Sequence, residues 1–198
     1  MQTESAMHVT LNHRAMVGNP YKSRHIAMIA ALAALVGAVI LLCSSAAARA
    51  AETSAASFLQ AAAQIDIAEV GAGRIAQRKS ENANVQEFGK MLETDHTKHL
   101  MAVQDLAKSM GVSVPAEPAA ADSKEATKLE SLSGRAFDQE FVKHMAEGHQ
   151  LAITQYEAEA KAGNADTSAL AQKTLPALQH HLETAEALQK TLGQQAAQ

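Results

Sequence analysis

Two imidazoles interrupt an apolar stripe. Between residues 85 and 110, Val85, Phe88, Leu92, Val103, Leu106 and Met110 recur at helical spacing, and His96 and His99 fill the places between Leu92 and Val103. Glu93 stands three residues before His96 and Asp95 four before His99, so two carboxylate and imidazole pairs are expected on or beside the buried face. Three other stripes carry one such residue each. Glu69 lies among Phe58, Ala62, Ile65, Ala72 and Ile75, and His149 among Phe137, Phe141, Met145, Ala152 and Tyr156. His181 lies among Leu170, Thr174, Leu178, Ala185, Leu188 and Leu192.

Inward carboxylates and imidazoles on facing helices are how helical bundles hold metals. Glu69, His96, His149 and His181 come from four different segments, each near its middle, so a closed bundle would bring them into one layer. Glu93, Asp95 and His99 are further candidate ligands or supports, and a transition metal such as iron is the cofactor this set would hold. A di-iron site asks for Glu-x-x-His on two helices, and the chain supplies one, Glu93 to His96. Ala146 and Leu178 stand where the acids before His149 and His181 would be. That shortfall favours the other reading, a buried polar layer in which Glu69 hydrogen-bonds at least one histidine and helix register is fixed. Nothing marks a nucleophile, an oxyanion hole or a substrate pocket, so no catalytic residues and no enzymatic reaction are expected.

The elements that must position these residues are helices. Alanine-rich, aromatic-poor composition (3% aromatic, no Trp) favours helix over sheet. The first helix is expected from Ser54 or Ser57 to about Arg78, followed by a polar turn over residues 79–84. Asn84 with Glu87 then resembles a capping box for a second helix, from Val85 to about Met110, which Gly111 ends. Pro115 and Pro118 predict an extended crossing, and a short helix from Asp122, with Glu125 at its third position, leads to about Leu132. Ser133 caps a third long helix to about Ala162. A fourth starts at Asp166 or Thr167 and should kink at Pro176, freeing the carbonyl of Gln172. The resulting fold class is all-α, a ferritin-like four-helix up-and-down bundle with a longer crossing between helices two and three.

The 198 residues carry a net charge of −4, with 47% hydrophobic and 19% charged residues. Residues 51–198 alone hold 13 basic and 20 acidic residues, a net charge of −7, which excludes nucleic acid as an expected partner. Residues 1–50 read as a secretory signal. A polar, mildly basic start precedes an apolar run over residues 26–43, and small residues end in Ala48-Arg49-Ala50, with cleavage after Ala50. An uncleaved inner-membrane anchor over residues 26–43 is the alternative, since that run is near the minimum that spans a bilayer. The single cysteine, Cys43, lies within that run, so no intramolecular disulfide holds the domain.

Phe58-Leu59-Gln60-Ala61-Ala62, Ala68-Glu69-Val70, Met91-Leu92-Glu93-Thr94-Asp95-His96, Phe137-Asp138 with His149, and Thr174-Leu175-Pro176 with His181-Leu182 together resemble a bacterial family. It is the one numbered 4142 among domains of unknown function, often labelled a predicted outer membrane protein. The resemblance runs from about Ser57 to Leu192 and implies a ferritin-like bundle and export, with no established reaction. The segment after Ala50 has neither a second apolar span nor the alternating ten-residue strands of a membrane barrel, so the domain itself is not expected to span a membrane. The expectation is a periplasmic bundle of non-enzymatic binding, envelope-associated or stress-associated role, with an envelope protein as its partner. The alternative is a metal-binding or redox protein using the Glu and His layer.

Overall fold

Helices account for all the regular structure in the computed structural model, which describes residue 52, residues 54–161 and residues 164–196. The proposed signal, its cleavage position and the apolar run at residues 26–43 lie outside the described residues. The first helix, α1, covers residues 54–79. It is followed by α2 (Ala83–Ser109), the short α3 (Ala120–Ser131), α4 (Gly134–Glu159) and α5 (Ala165–Ala196).

The helix ends depart from the expected ones where a better-placed side chain is available. Asn82, not Asn84, caps α2, its Oδ1 accepting the Asn84 N–H at 3.0 Å. The connection before it therefore shrinks to residues 80–82. Asn164 likewise opens α5, accepting the N–H groups of Asp166 and Thr167 at 3.2 Å each, in place of caps by those two residues. Ala119 precedes α3 and Ser133 precedes α4, neither with a side-chain capping bond. Gly111 ends α2 as expected. Its φ of +68° lies in the left-handed region that favours glycine, and Val112 N–H returns to the Ala107 carbonyl at 2.8 Å. Pro176 lies inside α5, which continues through it to Ala196 as expected.

Contacts at the ends fix the helix directions. Gln60, early in α1, donates to the carbonyl of Ser113 just beyond the end of α2 (3.0 Å). Arg78, late in α1, pairs with Glu130 at the end of α3 (2.5 Å), and Ser80 donates to Asp138 near the start of α4 (2.5 Å). The crossing and α3 thus return the chain along the length of α1. In consequence α2 and α4 run the same way, Phe88 meeting Phe141 edge-on at 6.0 Å. The order is up, down, down, up.

Two apolar clusters fill the interior. One contains Phe88, Leu92, Phe137, Phe141, Met145 and Leu188, and the other Leu59, Ala63, Val103, Ile153, Tyr156 and Leu178. Between them lie the buried polar residues Asp66, Glu69, His96, His149 and His181. The face that α1 turns inward includes Ala62, Glu69, Ala72 and Ile75 of the expected stripe but is wider than it. Phe58 and Ile65 are half-buried, while Leu59, Ala62, Ala63, Asp66 and Gly73 are buried. The small residues win because they let α1 and α2 touch backbone to backbone. A Cβ on Gly73 would stand 2.5 Å from the Gly89 carbonyl oxygen, and one on Gly89 would stand 2.7 Å from that of Gly73. This close crossing sets the distance between Asp66 and the middle of α2.

Candidate metal centre

The α1–α2 approach puts one carboxylate against two histidines. Asp66 Oδ1 lies 2.8 Å from His96 Nδ1, and both Asp66 oxygens lie within reach of His99 Nδ1, at 3.0 and 2.8 Å. On α4, His149 Nδ1 donates to the Met145 carbonyl one turn back, at 2.9 Å. On α5, His181 Nε2 lies 3.0 Å from Asp95 Oδ2 of α2. Each ring is thus held by an acceptor on one nitrogen: Nδ1 of His96, Nδ1 of His149 and Nε2 of His181.

Those acceptors decide the tautomers, since a nitrogen facing a carboxylate or carbonyl must carry a hydrogen. The lone pairs then fall on His96 Nε2, His149 Nε2 and His181 Nδ1. The last two stand 3.2 Å apart with no proton between them, and His96 Nε2 is buried without a hydrogen-bond partner. The three rings have centroids 5.2 to 5.7 Å apart. One nitrogen from each lies within 4.8 Å of the corresponding nitrogens of the other two. Tetrahedral zinc with nitrogen ligands at about 2.0–2.1 Å needs nitrogens roughly 3.3 Å apart, so modest ring movement would close the set.

The structure brings together His96, His149 and His181 and places Glu69 beside them, with Oε1 3.9 Å from His149 Nδ1. That separation is too long for the hydrogen bond expected of Glu69, and Oε2 has no hydrogen-bond partner. Two expected pairs are not made. Glu93 does not pair with His96 because it lies on the flank of α2 facing Arg74 and Gln77, each 2.7 Å away. Those two hydrogen bonds, Arg74 first, hold its carboxyl below the ordinary range. Asp95 reaches across to His181, not along its own helix to His99, whose ring turns toward Asp66. Asp66 was not among the expected site residues, although a carboxylate three residues before Glu69 and beside Ala62 and Ala63 was the available signal. His144 is half-buried and His180 exposed, both at the border of the layer. Tyr156 packs edge-on to Phe58 at 5.0 Å and lies 5.8 Å from the ring of His99.

The electrostatics separate the three rings. Burial keeps His149 below its ordinary value despite the charge of Glu69. Burial likewise lowers His181, to about 4, despite the Asp95 hydrogen bond. Burial opposes charge on His96 too, but the Asp66 hydrogen bond and the charges of Glu69, Asp66 and Asp95 outweigh it, and its value is raised. His149 and His181 are therefore neutral at pH 7, the form that binds metals, and on His96 a bound cation would take the place of the second proton at Nε2. For His181 the folded value lies below the unfolded 6.5, so its contribution is full above pH 6.5 and is lost as pH falls toward 4. His96 works in the opposite sense, stabilising below 6.5 and less as pH rises. Urea unfolding of the metal-free protein should accordingly show stability falling from pH 6.5 to pH 5, His181 alone accounting for about 2 kcal/mol. A His181→Gln variant should lose that part of the slope.

The sequence profile of the family described as Domain of unknown function (DUF4142) matches residues 42–188. None of the curated proteins matches the sequence. Among solved structures, the fold is similar to a DUF305 fragment from Deinococcus radiodurans (16% identity, 71% of this chain and 96% of that chain, TM-score 0.62). It is also similar to a putative secreted DUF305 protein from Streptomyces coelicolor (13% identity, 72% and 96%, TM-score 0.62). A third likeness is to a dodecameric thioferritin, the bacterioferritin-related protein of Bacteroides fragilis (14% identity, 74% and 90%, TM-score 0.60). At these identities the likeness is one of fold, that of ferritin-like helical bundles.

Proposed function

The chain belongs to the DUF4142 family, and because that family's description names no reaction, we propose from the site alone that it binds a single transition-metal ion through His96, His149 and His181. The observation that carries this reading is the orientation of the rings. Each has one nitrogen anchored to Asp66, the Met145 carbonyl or Asp95, as metal-binding histidines are anchored by outer carboxylates and carbonyls. A polar layer serving structure alone accounts for the anchors but leaves His96 Nε2 unpaired in the core and two lone pairs facing each other 3.2 Å apart. A cation satisfies all three nitrogens at once.

The di-iron centre common to ferritin-like folds does not fit these residues. It takes carboxylates from all four helices, whereas Asp66 and Asp95 are engaged by histidines and Glu69 is displaced toward α4. Three imidazoles suit one borderline ion such as zinc, copper or nickel. The role is binding, in an exported protein. The signal pattern of residues 1–50 and the acidic balance of residues 51–198 support work outside the cytoplasm, in association with the envelope. Among the described residues no helix is long and apolar enough to cross a membrane.

Untagged protein recovered from the periplasmic fraction of metal-supplemented cells tests the proposal. Elemental analysis should give about one zinc or copper per chain, and less than a tenth of that would refute it.

A further inference from the structure

Glu69 has a second neighbourhood. On the side away from the histidines it forms part of a groove of about 300 Å³ bounded by α1, α3 and α4, in which Asp122, Glu125 and His144 also take part. At about 30 Å³ per water this volume holds roughly ten waters, enough for a cation with its first hydration shell. Glu69 is only 8% exposed, and its Oε2 is closed off without a hydrogen-bond partner. Glu125 Oε1 is closed off in the same way, with Lys128 Nζ 3.5 Å distant. Burial pushes the Asp122 carboxyl up, with His144 opposing and the charge of Glu69 adding to the shift. Negative charge is thus crowded into the groove. Gly148 carries no side chain against Glu69, where a Cβ would stand in van der Waals contact with Oε1 at 3.8 Å.

We propose that this groove is the vestibule through which a hydrated divalent cation reaches the three histidines, with the Glu69 carboxylate as the first protein group to hold it. The inference rests on the metal-binding reading and adds the route. A carboxylate that lines the groove and stands 3.9 Å from His149 can, on turning outward, exchange hydration water for its own oxygens while the ion is still in the vestibule. Asp122 and Glu125 raise the local cation concentration by focusing the field.

Uptake kinetics test it. Co²⁺ added to the metal-free full-length chain is followed by visible absorbance in a stopped-flow instrument at low salt. Leu151 lines the groove and is 60% exposed, so it can change charge without disturbing the core. Leu151→Lys should slow uptake roughly tenfold and Leu151→Glu should hasten it, both ending at the wild-type one ion per chain. Glu69→Gln should slow uptake at least as much as Leu151→Lys, and Glu69→Asp should restore part of the rate. A structural role of Glu69 would not produce the opposite responses to Lys and Glu at position 151. Equal rates in all four variants would overturn the route while leaving the centre intact. A wild-type chain that takes up no Co²⁺ would remove the centre and the route together.

Discussion

Replacing His149 by Gln should abolish metal-dependent stabilisation of the bundle. His149 is 1% exposed, with one nitrogen on the Met145 carbonyl and the other 3.2 Å from His181. Gln keeps most of the volume and can still donate to Met145, so the metal-free variant should melt close to the metal-free wild type. What it cannot supply is the second nitrogen. An ion present at about 100 times its Kd stabilises the wild type by about 2.7 kcal/mol, a rise of roughly 6–10 °C in Tm for a domain of this size. Differential scanning fluorimetry with added Zn²⁺ should show that rise in the wild type and none in His149→Gln. Affinity should fall more than 100-fold, beyond the 10–100-fold typical of losing an outer anchor. His144→Gln should keep the full rise, because that histidine faces the groove and not the three-ring cluster.

The second large effect belongs to Asp66. Its side chain is 1% exposed and carries two imidazoles, His96 with a side chain 4% exposed and His99 12% exposed. Asp66→Ala removes the acceptor of both and leaves two buried ring nitrogens with nothing to bond. Breaking such a buried pair costs about 3–5 kcal/mol, which amounts to a loss of roughly 8–15 °C in Tm. Asp66→Asn isolates the effect on binding. Its carbonyl oxygen can accept from one of the two histidines, so the fold survives, but His96 loses its charged anchor, and metal affinity should fall about 10–100-fold. Glu93→Gln is the matched control, because Glu93 serves Arg74 and Gln77 outside the cluster. An Asp66→Asn protein with unchanged affinity would mean that the anchor does not orient the ring.

The fold was legible because four stripes carry the 3.6-residue period and because Gly111 and the prolines at 115 and 118 punctuate them. The histidines were legible for the same reason. Each stands where Leu or Ala precedes and follows it by one turn, so burial was forced by its neighbours. The carboxylates were not legible to the same degree. A helix offers an acid several neighbours, and periodicity alone cannot say whether Asp95 bonds along α2 to His99 or across to His181; helix spacing decides, and it is set by contacts such as Gly73 against Gly89. Asp66 was missed because the alanines around it carry little pattern. With Ala61, Ala62 and Ala63 in a row, the stripe read from Phe58 and Ile65 was narrower than the true face, which also takes in Leu59, Ala63 and Asp66. The caps slipped for a local reason, since Asn82 and Asn164 lie two or three residues ahead of the positions that the apolar pattern suggested.

The central claim is that one ion sits among His96, His149 and His181, and anomalous diffraction from crystals of the zinc- or copper-loaded protein, collected on both sides of the metal edge, tests it most directly. One edge-dependent peak per chain should appear within about 2.0–2.2 Å of His96 Nε2, His149 Nε2 and His181 Nδ1, with Asp66, the Met145 carbonyl and Asp95 still on the opposite nitrogens. A peak confined to surface groups such as His180, with the three rings bonded only to one another, would contradict the account.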